Sequence, residues 1–306
     1  MRGETEPSIQ QAGLPLLSLP GREKAGGKAS PRQYWLEALG LGAGMLASAF
    51  VYSAFIEPSA LQIVTVRLRL PRLDREWDGF RLVQISDIHM GGWMNRVRLE
   101  RVVRRVLEQN PDAVAITGDF ISRFHLISRA FSDLAAALSP LSSQVRTVAV
   151  LGNHDHRYGR RPLRRMFARI GIQELDNRVI TLRRGTALLH LAGVDDIWLD
   201  KEDLPAVLGQ LPPEGAAVLL AHEPDFADRS AACGRFDLQI SGHTHGGQLF
   251  LPFLGRPSLP KMGTRYPSGL YQVGRMLQYT NRGVGMGMPP FRFNCPPEIT
   301  VFVFET

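Results

Sequence analysis

Three features of the sequence predict an α/β fold. Short runs rich in Val, Ile, Leu and Ala alternate with stretches whose apolar residues recur at helical spacing. Several of the short runs stop at a glycine followed by Asp, Asn or His. In an open α/β sheet, ligands gather at the carboxyl ends of strands, so polar residues that repeatedly occupy those ends belong to one site.

Taken in order, residues 1–33 are rich in Gly, Pro, Ser and charge with little periodicity, and read as a disordered basic tail. Residues 34–57 read as a transmembrane anchor or uncleaved signal. Within them Ala38 to Ile56 carries no charge and is long enough to cross a hydrocarbon layer as a helix. Tyr34, Trp35 and Tyr52 suit the membrane interfaces. Arg22, Lys24, Lys28 and Arg32 precede the span and Glu57 follows it, a bias that puts the tail inside and the large domain on the outer, periplasmic side of the inner membrane. Ser30 to Leu36 resembles a twin-arginine export signal with Pro31 in place of one arginine, and cleavage after Ala47-Ser48-Ala49 would release the domain. Retention as a single-pass anchor is the expectation, leaving residues 58–306 as the catalytic domain.

In that domain, Leu61 to Leu70 alternates apolar and polar residues, a strand with one buried face. Arg81 to Ser86 is a second strand, ending at Asp87-Ile88-His89. Arg96 to Gln109 places Val102, Val103, Val106 and Leu107 at helical spacing with arginines between them, a surface helix. Ala113 to Thr117 runs into Gly118-Asp119. A helix through Ser132 to Leu138 leads to the strand Arg146 to Leu151, which runs into Gly152-Asn153-His154-Asp155. Ala216 to Leu220 stops before His222, and Leu238 to Ser241 stops at Gly242-His243-Thr244-His245. Five strand ends thus converge. Gly118, Gly152 and Gly242 stand where a missing Cβ permits a sharp turn, and no repeat of fixed period is visible.

A chain of 306 residues that is 44% hydrophobic can bury a full core. Its net charge of +7 favours anionic substrates, anionic lipid or nucleic acid without choosing among them. Cys233 and Cys295 lack metal-site spacing and form no disulfide framework.

Asp and His are the donors that Mn²⁺, Fe²⁺ and Zn²⁺ accept, and the absence of ligating cysteines argues against a structural zinc finger. Asp87-x-His89 and His243-x-His245 each put two donors on one side of an extended segment, since side chains at i and i+2 share a face. Each element alone is weak, because a lone histidine usually packs or hydrogen-bonds; their ordered combination carries the weight.

That combination of Asp-x-His, Gly-Asp, Gly-Asn-His-Asp, an isolated His after a strand, and Gly-His-x-His resembles the calcineurin-like metallophosphoesterase superfamily, from about Asp74 to the C-terminus. The finer resemblance is to its membrane-linked bacterial branch, through Ile85-Ser86-Asp87-Ile88-His89, Gly193-Val194-Asp195-Asp196, Gly242 to Gln248, Asn281-Arg282-Gly283 and Arg292 to Ile299. Relatives in that branch include phosphodiesterases and hydrolases of UDP-2,3-diacylglucosamine in lipid A synthesis. The resemblance implies a four-layer α/β/β/α sandwich of two mixed sheets and two divalent ions drawn from Mn, Fe, Zn or Mg. Carried over by motif, one ion takes Asp87, His89 and His245, the other Asn153, His222 and His243, and Asp119 bridges them. Such a pair of ions activates water and neutralises phosphoryl oxygens during in-line attack. His154 is then the candidate to donate a proton to the leaving oxygen, with Asp155 orienting its ring.

The implied reaction is hydrolysis of a phosphate ester, phosphodiester or pyrophosphate. A lipid-linked substrate is favoured because the anchor holds the site near a bilayer, although a nucleotide-linked lipid A precursor would require a cytoplasmic domain. A nuclease is the first rival, but no run of aromatic and basic residues lines a groove, which argues against a nucleic-acid partner. A non-catalytic metal-binding membrane scaffold is the second, and it would be marked by a lost ligand or a lost His154. Outside the pattern, His125, His156 and His190 read as structural or surface residues. Asp195 and Asp196 line the pocket or shape a turn. Arg160, Arg161, Arg164, Arg165 and Arg169 form a solvated helix face, with anionic lipid as the alternative.

Overall fold

The computed structural model describes residues 31–122 and 127–306, so residues 1–30 of the basic tail, and His125, lie outside the described residues. Contacts divide the chain into two units, one through Leu46 and one from Ala47 onward. The first described element is a helix, α1 (Pro31–Val51), which continues through a π-helical turn at Tyr52–Ile56 and a 3₁₀ turn at Glu57–Ser59. Tyr34–Ser59 is long and apolar enough to cross a membrane, and its large apolar side chains are exposed.

The second unit contains two six-stranded sheets. The first is built from β1 (Gln62–Arg69), β2 (Arg81–Ile85), β3 (Ala113–Thr117), β4 (Thr147–Val150), β5 (Gln173–Glu174) and, from the C-terminus, β12 (Glu298–Glu305). Its spatial order is β1-β12-β2-β3-β4-β5. The second comprises β6 (Arg178–Arg184), β7 (Ala187–Gly193), β8 (Ala216–Leu220), β9 (Leu238–Ser241), β10 (Gly269–Val273) and β11 (Met276–Thr280), in the order β10-β11-β9-β8-β7-β6. Both sheets are mixed: β2, β3 and β4 run parallel, while β12 pairs parallel with β1 and antiparallel with β2.

One core lies between the sheets. Leu82, Ala115, Val150 and Phe302 of the first meet Leu191, Val218, Leu220 and Ile240 of the second. On its outer face the first sheet packs Val83, Ile85, Ile116 and Val301 against α2 (Arg96–Leu107), α3 (Ile127–Gln144) and α5 (Arg160–Ile170). The second sheet is covered by α6 (Leu204–Gln210) and α7 (Ala227–Ala232) through Val207, Leu219, Ala221 and Ala227. This is the four-layer α/β/β/α sandwich. Central strands are apolar on both faces because both are covered; β3 and β8 are buried at every residue.

The helix expected at Ser132–Leu138 runs instead from Ile127 to Gln144. Leu134, Leu138 and Leu141 are fully buried at helical spacing, and burial of Leu141 carries the helix past Pro140.

The chain end locks the fold. Arg292 is fully buried, and its guanidinium donates to the carbonyls of Cys295 (2.8 Å), Arg282 (2.9 Å), Gly283 (3.1 Å) and Gly285 (2.6 Å). It thereby folds the segment before β12 against the end of β2, where the Val284 and Gly285 amides donate to the Ser86 and Asp87 carbonyls at 2.9 Å. Replacing Arg292 with Met leaves four carbonyls without that donor, those of Cys295, Gly283 and Gly285 buried. The expected loss is roughly 3 kcal/mol or more, since each unsatisfied buried group costs about 1–3 kcal/mol. A melting curve of the full chain in detergent checks it, and an unchanged midpoint would remove Arg292 from this role.

Candidate metal centre

The carboxyl ends of β2, β3, β4, β8 and β9 meet at one edge of the two sheets. Asp87 and His89 follow β2, Asp119 follows β3, Asn153 opens α4 (Asn153–Tyr158) after β4, His222 follows β8, and His243 and His245 follow β9. The backbone there is not extended, contrary to the same-face expectation for Asp87/His89 and His243/His245. Asp87, His89, Asp119, His243 and His245 have φ of 52°, 51°, 56°, 71° and 52°, in the left-handed region. Each pair of donors is turned inward by these left-handed kinks, and strand alternation plays no part.

Close approach of the loops depends on glycine. A Cβ on Gly152 would stand 2.4 Å from Asp119 Oδ1 and 2.7 Å from His222 Nε2. One on Gly242 would stand 1.9 Å from Ser86 Oγ and 2.3 Å from Asp87 Oδ2.

The donors form two buried triplets, Asp87/His89/His245 and Asp119/His222/His243, each with its ligand atoms within 4.8 Å of one another. In the first, His89 Nε2 lies 2.9 Å from His245 Nε2, and Asp87 Oδ1 lies 3.4 Å from His245 Nε2. In the second, His222 Nε2 lies 3.2 Å from His243 Nδ1 and 3.3 Å from Asp119 Oδ2. Asp119 Oδ2 also reaches His89 Nε2 at 3.6 Å, so it stands between the triplets. Asn153 lines the same cavity, and its buried Oδ1 has no hydrogen-bond partner.

The hydrogen bonds of the second triplet set its tautomers. His222 Nδ1 donates to the Thr117 carbonyl at 2.7 Å and His243 Nε2 to the Lys261 carbonyl at 2.9 Å. In each ring the other nitrogen therefore faces the site, as a lone pair on His243 and, on His222, as the nitrogen beside Asp119 that a bound cation would free of its proton, the usual device for orienting a metal-ligating histidine. Burial drives the His89 and His243 rings down to about 3 and the His245 ring well below its usual value, so they are neutral donors. Burial likewise lifts Asp87 to about 6, against the pull of His222. Burial opposes charge on Asp119 and His222 too, but the neighbouring charges together outweigh it: His222, His154 and His89 hold Asp119 well below the carboxylate range, and Asp119, Glu223 and Asp87 lift His222 well above the imidazole range. A proton held in such a pair is what a divalent cation displaces on binding.

These residues fit a dinuclear metal site. Donor atoms each about 2.1 Å from a shared ion sit roughly 3 to 3.4 Å apart; the pairs above within each triplet lie at 2.9 to 3.4 Å, with Asp87 Oδ1 and His89 Nε2 wider at 4.0 Å. Facing imidazole nitrogens and buried carboxylates call for positive charge, and among the described residues every ion pair of Asp87 and Asp119 is with histidine.

Asp155 does not orient His154. Its Oδ2 accepts from the Gly152 amide at 3.0 Å and its Oδ1 from the Phe120 and Ile121 amides at 2.8 and 3.2 Å, so it ties the β3 and β4 loops together. The His154 ring stands edge-on to His89 at 4.8 Å with its Nδ1 unpartnered, while its amide donates to Asp119 Oδ1 at 3.0 Å. A third acid/His cluster, His156/Asp176/Asp195, is already compensated. Asp195 pairs with His156 at 2.6 Å and Arg160 at 3.1 Å, and Asp176 with Arg164 at 3.0 Å. Arg160 and Arg164 thus pair with these carboxylates while staying partly exposed, and Arg161, Arg165 and Arg169 are exposed, as a solvated face requires. Asp196 accepts from the Leu199 amide at 2.7 Å, shaping a turn, and His190 is fixed between Thr181 Oγ1 and the Glu214 carbonyl, both at 2.9 Å.

A cavity of about 600 Å³ opens over the centre, lined by Arg157, Tyr158, Trp198, Leu249, Met288 and Pro289 besides the donors. Trp198, whose ring stands edge-on to His243 at 5.5 Å, and Met288 were not singled out in the sequence. Trp198 lies five residues past the end of β7 and Met288 eight past the end of β11, too far for the strand ends to point to them, and only folding brings them here.

A family model for calcineurin-like phosphoesterases matches residues 80–247. Individual relatives include the uncharacterized metallophosphoesterase YkuE of Bacillus subtilis, 32% identical over 91% of this chain and 99% of that protein. Phosphodiesterase YaeI of Escherichia coli is 31% identical over 83% of this chain and 92% of that protein. UDP-2,3-diacylglucosamine pyrophosphatase LpxG of Chlamydia muridarum is 26% identical over 82% of this chain and 92% of that protein.

Chelation tests the centre. An ion present at about a hundred times its dissociation constant adds about 2.7 kcal/mol, and a domain of this size shifts by about 2–4 °C per kcal/mol. Stripping the metal should therefore lower the melting midpoint by roughly 5 to 10 °C, and Mn²⁺ should restore it. An unmoved midpoint together with no metal by elemental analysis would exclude the centre.

Proposed function

The chain belongs to the calcineurin-like phosphoesterase family and is a phosphoester hydrolase, and we propose that Asp87, His89 and His245 hold one divalent ion, Asn153, His222 and His243 a second, with Asp119 bridging. The observation that carries this reading is the position of Asp119 Oδ2, 3.6 Å from His89 Nε2 and 3.3 Å from His222 Nε2. Bound there, two ions supply an activated water and neutralise charge on the phosphoryl group.

The remaining work falls to the chain. Thr117 and Lys261 carbonyls hold the His222 and His243 rings in orientation, and Asp155 holds the loops that carry Asp119 and Asn153. The His154 ring lines the cavity beside His89 and is the group that gives a proton or hydrogen bond to the leaving oxygen. Arg157 on the cavity wall offers a positive charge to the substrate's phosphate.

For substrate, a lipid-linked phosphate ester or pyrophosphate is supported by the apolar part of the cavity wall, Leu249, Met288 and Pro289, beside the donors. The apolar Tyr34–Ser59 helix, read as a single-pass anchor in residues 34–57, would keep residues 58–306 at a bilayer surface. The basic residues before it favour an outer-side domain, whereas UDP-2,3-diacylglucosamine, named for the Chlamydia muridarum relative, would call for the cytoplasmic side. Protease added to intact spheroplasts is expected to digest the domain. Protection until lysis would reverse the orientation and favour the nucleotide-linked lipid.

Two variants separate metal holding from proton donation. Asp119→Asn should lose bound metal and hydrolysis of bis-p-nitrophenyl phosphate together; full activity with two ions would sink the bridge. His154→Gln should keep both ions yet lose roughly 100-fold to 10,000-fold in turnover, the range for a general acid. Its loss should be larger for alkyl esters than for p-nitrophenyl esters, whose leaving group departs as a stable anion. Equal damage across that series would remove the role.

A further inference from the structure

The end of the apolar helix is gripped by a part of the catalytic unit that is itself apolar. Pro58 has no N–H to offer the Ser53 carbonyl five residues back in the π-helical turn, and the Arg292 amide donates to that carbonyl at 2.9 Å instead. Glu57 is buried and accepts from the Asn294 amide at 2.9 Å and from the Cys295 amide. Phe50 meets Phe291 and Tyr52 meets Phe293, with ring centroids 5.4 and 6.2 Å apart. Residues 291–295 therefore run beside residues 50–57.

This contact sets a depth. The uncharged run continues to Ile56, and six residues of helix at about 1.5 Å each put Phe50 roughly 9 Å short of its end. Whatever packs on Phe50 lies below the level at which the apolar run stops.

A hairpin is fastened to the same place. The Phe250 amide donates to the Phe293 carbonyl at 2.8 Å, and Leu251 and Gly255 bridge at its base. Ala49, Phe50, Leu249, Leu251, Phe291 and Phe293 surround an apolar hollow of about 230 Å³. Beyond it Phe253 is fully exposed (108%), Leu254 is 77% exposed and Met288 68%. Phe253 also has φ of 66°, a conformation that bulky residues rarely adopt. Contiguous apolar surface of this kind marks an interaction site. Leu249 lines both this hollow and the catalytic cavity, so the two adjoin at its side chain.

We propose that the Leu249–Gly255 hairpin and the Met288–Phe291 segment form a rim that dips into the bilayer, a second membrane contact beside the helix, opening the catalytic cavity toward the lipid. The occupant of the patch is the acyl region of the leaflet in which Phe50–Ile56 ends. The inference rests on reading residues 34–57 as the anchor, and it deepens the lipid-linked substrate reading. An amphiphilic phosphate ester would reach the metals sideways along Leu249, its chain never leaving the apolar phase.

Spin labels on the full chain in phosphatidylethanolamine/phosphatidylglycerol vesicles test it, in a Cys233→Ser background. Labels are placed singly by Phe253→Cys, by Leu46→Cys on the helix as a membrane reference, and by Lys201→Cys, an exposed site, as an aqueous reference. Accessibility to oxygen relative to an aqueous nickel complex reads depth without depending on catalysis. Position 253 is expected to match position 46, with a higher oxygen-to-nickel ratio than position 201. A water-like ratio at 253 with a lipid-like one at 46 would overturn the rim and leave the anchor standing. Shielding of 253 from both probes would also overturn it, assigning the patch to a second copy or another protein. A water-like ratio at 46 would overturn the anchor and the rim together.

Discussion

The left-handed backbone at Asp87, His89, Asp119, His243 and His245 is the constraint on which the rest of the structure depends. Each non-glycine residue in that region costs roughly 1–2 kcal/mol, so five together approach the whole stability of an ordinary domain, about 5–15 kcal/mol. No strand geometry would aim donors from two sheets at one point. The kinks do so, and their cost is offset by interactions that over-determine each loop. The Asp87 and His89 amides donate to the Gly118 and Asp119 carbonyls at 3.0 and 2.9 Å, and the His243 amide donates to the Asp87 carboxylate at 3.0 Å.

The C-terminal strand belongs to that support. β12 enters between β1 and β2, so the segment before it must cross the ends of β2 and β9. Gly283 and Gly285 pass so close to the Asp87 loop that a Cβ would stand 2.8 Å from the Asp87 side chain in the first case and 2.2 Å from the Ile88 carbonyl in the second. Arg292 holds this crossing from behind, and Glu57 holds the stretch after it. The metal centre and the end of the apolar helix are thus attached to the same few residues of the chain's last segment.

Contrast between the acid/His clusters explains why, among the described residues, the strand-end region suits cations and the His156/Asp176/Asp195 cluster does not. At His156/Asp176/Asp195 the charge of Asp195 is met by His156 and Arg160, while Asp176, which burial followed by the contact with Glu174 pushes up to about 9, keeps its proton beside Arg164. Among the described residues, Asp87 and Asp119 form ion pairs with imidazoles alone, most of them neutral by burial. Clustering of donors is common to both. Among the described residues, the want of a direct arginine ion pair distinguishes the metal centre.

Much of this was legible in the sequence because the information is local. A strand shows in its apolar run, and a donor at its end is a residue type at a position, so β2, β3, β4, β8 and β9 and the seven side chains beyond them could be named without coordinates. Other features arise from contacts between residues far apart in the chain. The insertion of β12, the ion pairs of Arg160 and Arg164 on α5 and the length of α3 follow from which surfaces meet. Asp155 was read by adjacency as the partner of His154, but its carboxylate had three unpaired amides of the Gly152 and Phe120–Ile121 loops within reach, and a buried N–H must be paired. The i, i+2 pairs were read as extended because periodicity describes the chain before it turns. Sequence alone determined which groups could do the chemistry; tertiary structure decided how they face one another, since left-handed turns and buried charge are stable only when distant segments close over them.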